Sequence, residues 1–340
     1  MAVSAEEKND HVIAASSLRK SFRSGRGARV EAVQGVDIEV QRGEIFGFLG
    51  PNGAGKTTTL RMLTTLLPID DGTARVAGFD VQRDPALVRT RIGYVSQLGG
   101  SDELATGREN LILQGSLYGG DAASVRARVA DLMELLDLSE FAERRVKTYS
   151  GGQRRRLDVA LGIVHEPQVL FLDEPSTGLD PQNRANLWER IRDLRARGTT
   201  VFLTTHYLDE ADALCDRVAI MDHGRIVALG TPQELKRQVA GEAVLMDVKD
   251  ENGAVARARQ RLREEPYVYD LTADGSELRL YVEDGGEALP QLLRLLDSEG
   301  IGLRSMSLSE PTLDDVFLRH TGRSLRDAGP AAPAEVEVAA

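Results

Sequence analysis

The chain has little with which to build covalent or membrane-spanning structure. Its 340 residues include one cysteine, Cys215, so no intrachain disulfide can form, and a reducing compartment suits such a chain. No apolar run approaches the roughly 20 residues that a membrane-spanning helix needs. The opening residues, MAVSAEEKNDHVIAASSL, lack the apolar centre of a signal peptide. Positive charge is also in deficit, with 42 Lys and Arg against 53 Asp and Glu, a formal charge of −11 at pH 7. That balance argues against the basic footprint of a nucleic-acid binder, so no nucleic-acid partner is expected. It does not exclude ATP, which local groups and Mg²⁺ hold.

What is present fits a soluble globular protein, 41% hydrophobic and 28% charged. Residues 1–10 read as a loose polar arm. GEIFGFLG at 43–50 reads as a buried strand feeding a glycine turn. A helix should follow, with Leu60, Leu63, Leu66 and Leu67 on one face. Residues 98–165 read as a helical subdomain. QVLFLDEP (168–175) and TTVFLTTH (199–206) are further buried strands, and RVAIMDHGRIVALG turns as a hairpin at His223-Gly224. The first domain is placed at 11–236. From 240 to 323 the order strand, helix, strand, strand, helix, strand is a split βαββαβ, a small α+β ferredoxin-like domain. It ends in a helix whose Leu313, Val316 and Phe317 form an apolar stripe in need of a partner, either that sheet or the first domain. The Pro/Ala-rich tail, 324–340, is expected to be disordered.

Two stretches suit phosphate. GPNGAGKTT, Gly50 to Thr58, is a phosphate loop in the required strand–loop–helix setting. Pro51, Asn52, Gly53, Ala54 and Gly55 would wrap the phosphates with backbone N–H groups. Lys56 should reach the β- and γ-phosphates, and the Thr57 hydroxyl should bind Mg²⁺. YSGGQ is the second stretch. Ser150 can cap a helix, and Gly151 and Gly152 leave N–H groups uncovered at its positive end, with Gln153 next. Asp173 at a strand end can hold the Mg²⁺ shell. Glu174, one residue on, can be turned toward an attacking water. His206 ends a neighbouring strand and would face the same phosphate edge. The Arg154–Arg156 run reads as a solvated helix face, with a basic contact as its alternative.

In order, GPNGAGKTT, YVSQ, YSGGQ, LFLDEP, STGLD and TTH resemble the nucleotide-binding subunit of an ABC transporter, with a P-loop NTPase core of α/β class. Tyr149 stands where Leu is commoner. The resemblance implies that two such domains pack head to tail, so Ser150, Gly151 and Gly152 would hold the γ-phosphate bound by a second copy. It further implies that Gln97 touches the metal or water and relays closure to a membrane subunit, and that Asp180 crosses the dimer interface. Phe22 would stack on adenine, with core packing as its alternative. TYSGGQRRRLD, TTHYLDEAD, IMDHGRIVALGTPQELK and SEPTLDDVFLRHTG are most similar to the ATPases of daunorubicin/doxorubicin-resistance-type exporters, over roughly residues 12–323. That implies ATP hydrolysis with Mg²⁺, an ABC-2-type permease as partner, and a place on the cytoplasmic membrane face. A DNA- or ribosome-acting ABC ATPase is disfavoured by the lack of a long coiled-coil insertion and of a second ATPase unit. A non-hydrolysing ATP sensor is disfavoured by Glu174 and His206.

Overall fold

The computed structural model describes residues 11–23, 29–238, 242–251, 253–309 and 311–325. The expected N-terminal arm, and the tail from 326, lie outside them. The described chain divides between Pro232 and Gln233 into two compact units, the first of which takes in Leu325.

The first unit opens with β1 (His11–Arg23), β2 (Arg29–Gln41) and β3 (Ile45–Leu49), then α1 (Lys56–Leu63). Next come β4 (Asp71–Val76), β5 (Phe79–Asp80), α2 (Pro85–Arg91) and β6 (Ile92–Val95). The helical stretch holds α3 (Gly107–Leu117), α4 (Ala122–Leu135) and α5 (Gly151–Ile163). The unit then runs through β7 (Val169–Asp173), α6 (Pro181–Ala196), β8 (Thr200–Thr205), α7 (Leu208–Leu214), β9 (Arg217–Asp222) and β10 (Arg225–Gly230).

Its main sheet has the order β10-β9-β3-β8-β7-β6. Every pairing is parallel except that of β10 with β9. β3, β7 and β8 are buried along their whole length, which explains their continuous apolar sequences. A second sheet, β2-β1-β4-β5, is antiparallel. Ile13, Val36 and Ile38 from it share one core with Leu60 and Leu63 of α1 and with Phe46, Phe171 and Phe202 of the main sheet. The sheet order brings the C-terminal ends of β3, β7 and β8 side by side, and ligands of open parallel sheets bind at such ends.

The helix after the phosphate loop is shorter than its leucine spacing suggests. It stops at Leu63, Thr65 turns left-handed at φ +63°, and Leu66 is exposed. The hairpin at His223-Gly224 is present, with φ +44° and +77°, the signs a tight hairpin turn requires.

After α8 (Pro232–Gln238), the second unit contains β11 (Glu242–Val248), α9 (Ala254–Arg263), β12 (Val268–Asp274), β13 (Glu277–Val282), α10 (Gly285–Ser298), β14 (Leu303–Ser309) and α11 (Leu313–Thr321). This is the βαββαβ order, and the antiparallel sheet β12-β13-β11-β14 has ferredoxin-like topology. Leu278, Leu280 and Val282 of β13 share a core with Leu262 of α9 and Leu292 and Leu296 of α10. The alternate residues of β13 face the other way, and there Tyr281 donates to the buried Asp315 of α11, while Arg279 Nη2 lies 2.9 Å from its Oδ2. Burial, and then the Asp315 carboxylate, push the Tyr281 hydroxyl pKa far up. A polar lock therefore fastens α11 to its own unit's sheet. Ser324, expected in the disordered tail, instead donates to Asp314 Oδ2 at 2.9 Å.

Candidate functional site

The loop from Gly50 to Gly55 joins β3 to α1. Gly55 sits at φ +103°, and a Cβ there would lie 2.5 Å from the Ala32 carbonyl oxygen, so only glycine fits. The loop is braced by the hairpin, since Gly224 N–H donates to Ala54 O at 2.9 Å. Lys56 is buried, and its ammonium donates to Gly50 O at 2.7 Å and Pro51 O at 3.0 Å. Burial lowers its pKa, partly opposed by Glu174 and Asp173.

Asp173 and Glu174 are adjacent but aim apart. Asp173 Oδ1 accepts from Thr57 Oγ1 at 2.9 Å and Thr204 Oγ1 at 2.6 Å. β7 ends there, and Glu174 adopts φ +47°, a left-handed conformation costly for a residue with a side chain. Its N–H donates to the backbone oxygen and the hydroxyl of Thr204, both at 3.1 Å, which holds the turn. The Glu174 carboxylate then accepts from Gln97 Nε2 at 3.3 Å and Thr177 Oγ1 at 3.2 Å, with Lys56 Nζ 3.9 Å away. His206 Nδ1 lies 3.3 Å from Glu174 Oε1, without the alignment of a hydrogen bond. Burial alone would raise the Glu174 pKa, but His206, Lys56 and Thr177 outweigh it and hold the carboxyl below its ordinary value. An ionised carboxylate beside a buried ammonium and a hydroxyl–carboxylate pair can order a phosphate chain and a water.

Thr57, Lys56, Asp173, Glu174, His206 and Gln97 thus converge. The phosphate-loop residues 50–55 and Thr58 adjoin them in the chain, and Lys56 bonds Gly50 and Pro51 directly. Ser150 caps α5 in a reciprocal box: its Oγ accepts from Gln153 N at 3.3 Å, and its N donates to Gln153 Oε1 at 3.0 Å. Gly151 faces open space apart from Leu179, whereas a Cβ on Gly152 would lie 2.2 Å from Asn183 Oδ1 of α6. Among the described residues no hydrogen bond or ion pair joins 150–153 to the phosphate loop. Tyr149 has its own seat, edge-on to Phe141 and donating to Phe141 O at 2.8 Å. Asp180 caps α6, accepting from Gln182 N and Asn183 N. Phe22 is half-buried on β1, with the Lys20 ammonium 5.8 Å from its ring centre.

One reading of the sequence is overturned. Arg155 is not on a solvated face but buried, donating to Ser96 O at 2.7 Å, Pro175 O at 2.7 Å and Asp173 O at 3.1 Å. It clamps the loops that carry Gln97 and Glu174. The signal was its spacing, because residue 155 shares a helical stripe with the buried Gly152, Val159 and Ile163. Thr204 was missed as well. It stands beside Asp173 in the β7–β8 register, which sequence alone does not give.

Residues 33–177 match the family described as ABC transporter, and residues 230–321 match the family described as ATP-binding protein DrrA1-3-like, C-terminal domain. The chain is 43% identical to the daunorubicin/doxorubicin resistance ATP-binding protein DrrA of Streptomyces peucetius, over 96% of this chain and 97% of that one. It is 34% identical to the linearmycin resistance ATP-binding protein LnrL of Bacillus subtilis (strain 168), over 93% of this chain and all of that one. The dimeric ATP-binding cassette MJ0796, in a post-hydrolysis state with ADP and Pi, aligns with a TM-score of 0.59 at 23% identity. It covers 64% of this chain and 98% of that chain, and at that identity it supports the fold.

Proposed function

From the premise that this chain belongs to the ABC transporter ATP-binding proteins, in the daunorubicin/doxorubicin-resistance group, we propose how its site works and what it exports. The protein is the ATP-hydrolysing subunit of an exporter. The observation that carries the site assignment is the divergence of Asp173 and Glu174 around Lys56 and Thr57. Gly50, Pro51, Asn52, Gly53, Ala54, Gly55, Lys56, Thr57 and Thr58 cradle the phosphates. On ATP binding, the Lys56 ammonium exchanges the Gly50 and Pro51 carbonyls for phosphate oxygens. Glu174 accepts the proton of the attacking water, with Gln97 and Thr177 fixing its carboxylate and His206 bonding the γ-phosphate. The Thr57 hydroxyl and the Asp173 carboxylate, 2.9 Å apart, are hard oxygen donors that fit Mg²⁺, which takes few protein ligands when phosphates supply the rest. Bound there, Mg²⁺ would neutralise phosphate charge. Phe22 stacks on adenine.

Ser150, Gly151 and Gly152 close on the ATP of a second copy, and Asp180 lies at that interface. The capped N-terminus of α5, with Gly151 uncovered, supports this. Cysteines placed by Ser150→Cys and Asn52→Cys in a Cys215→Ala background are expected to crosslink two chains only when ATP is present. No crosslink under verified ATP binding counts against the clamp.

Among the described residues no helix is long and apolar enough to cross a membrane, so export requires a membrane partner. We assign this to an ABC-2-type permease, with the ATPase held at the cytoplasmic face. A cleft of about 380 Å³ lined by Tyr94, Gln114, Tyr118 and His165 supports such docking, as do the exposed Leu113 and Leu117 of α3. The cargo is a hydrophobic drug or antibiotic, as the names of the relatives suggest. Cells expressing both subunits are expected to export an anthracycline in an ATP-dependent way. Equal retention with and without this chain would overturn the assignment.

A further inference from the structure

α6 touches both halves of the machinery. At its first turn, Asn183 packs so closely on Gly152 that no Cβ fits between them. Five residues on, the indole N–H of Trp188 donates to Glu210 Oε1 of α7 at 3.0 Å. α7 begins two residues after His206. Between these points the Arg184 guanidinium lies 5.7 Å from the Trp188 ring centre and 5.3 Å from that of Tyr207, and its Nη1 is 3.3 Å from Asp209 Oδ2. Tyr207 in turn lies against His206, ring centres 4.1 Å apart.

Glu210 is an unusual residue to find here. It is fully buried, and its Oε2 has no aligned hydrogen-bond partner among the described residues. Burial raises its pKa, and the nearby Thr205, Ser176 and Trp188 only partly counter this. A buried acid costs free energy unless hydrogen bonds compensate it, and the Trp188 indole supplies one to Glu210. Its surroundings are telling. Thr205 precedes His206, and its carbonyl accepts from Gly50 N of the phosphate loop at 3.3 Å. Ser176 follows the Glu174 turn by two residues.

We propose that Trp188 and Glu210 are positioning residues that latch the His206 turn to α6, so that closure at Gly152 is transmitted through one helix to His206 in the same chain. The proposal rests on the reading that Ser150–Gly152 receive a second copy's ATP. It supplies the path by which occupancy of that site reaches the chain's own site. Neither residue touches ATP. Both act through where they hold His206.

Steady-state ATP hydrolysis by the full chain tests this. Trp188→Phe keeps the ring over Arg184 but removes the donor, and Glu210→Leu removes the acceptor. Each is expected to lower kcat about tenfold with KM for ATP within about twofold, a change of about 1.4 kcal/mol. Glu210→Gln keeps an acceptor and should restore turnover. In the double variant Trp188→Phe/Glu210→Leu the indole donor and its acceptor are both gone, so part of the thermal stability lost on Glu210→Leu alone should return. Turnover should stay low, which a merely structural role does not predict. Wild-type kcat in that double variant overturns the proposal. Trp188 is the only tryptophan, so its emission reports on the latch directly. In a Glu174→Gln background, saturating MgATP should shift it, and adding Ser150→Arg should abolish the shift while ATP still binds. A shift that survives Ser150→Arg shows that α6 does not read the Gly152 end, and the proposal fails. Failure of the ATP-dependent Ser150–Asn52 crosslink, with the Trp188→Phe loss of kcat intact, instead removes the two-copy reading and leaves the latch.

Discussion

Glu174→Gln is expected to slow ATP turnover by about 10²–10⁴-fold while ATP remains bound, the range a general base contributes. The substitution keeps side-chain size and can still accept from Gln97 and Thr177, which bond Oε2 at 3.3 and 3.2 Å. What it removes is the place for the water's proton and the charge facing Lys56 and His206. Because His206, Lys56 and Thr177 together hold the Glu174 pKa below its ordinary value despite burial, the base is ionised throughout the neutral range. A closed, ATP-loaded pair of chains should therefore accumulate. Near-normal rates in a single-turnover assay would take Glu174 out of this role.

Lys56→Ala acts earlier, on binding. The ammonium is buried, and its hydrogen bonds go to two loop carbonyls. Burial has already lowered its pKa, so desolvation is met before the nucleotide arrives. A charge-assisted hydrogen bond contributes about 1.5–3 kcal/mol. Loss of one such contact to phosphate should weaken ATP binding about 10- to 100-fold. Equilibrium titration with MgATP reads this directly. Adenosine, which has no phosphate, should bind parent and variant alike if its affinity is measurable at all. An unchanged ATP affinity would mean that the ammonium stays on Gly50 and Pro51 in the bound state.

Most of this site was legible because its residues sit at ends of elements that announce themselves. The apolar runs before Gly50, Asp173 and His206 are fully buried parallel strands, and parallel order alone lines up their C-terminal ends. Cap chemistry placed the start of α5 at Ser150 just as plainly. What stayed hidden depends on the third dimension. Arg155 looked like one of three solvated arginines, yet its stripe is buried and its guanidinium satisfies three backbone carbonyls from two loops. The antiparallel sheet of β1, β2, β4 and β5 was not recognised. Its strands alternate irregularly, and the β1–β2 register slips at several bulges. Leu66 carried a helical spacing past the real end of α1, because periodicity cannot see a left-handed turn at Thr65. In the second unit, the apolar stripe of α11 drew attention while Asp315, one residue before Val316, makes the contact to the sheet.

The left-handed backbone at Glu174 has an evolutionary consequence. Glycine would occupy φ +47° without the roughly 1–2 kcal/mol that an L side chain costs there. A chain selected for persistence alone would drift toward glycine, or toward asparagine, at this position. If Glu174 is the general base proposed above, selection for turnover keeps it there, and position 174 is where durability and catalysis pull in opposite directions. Descendants that lose their transport duty should shed this carboxylate early, and doing so should leave them more stable.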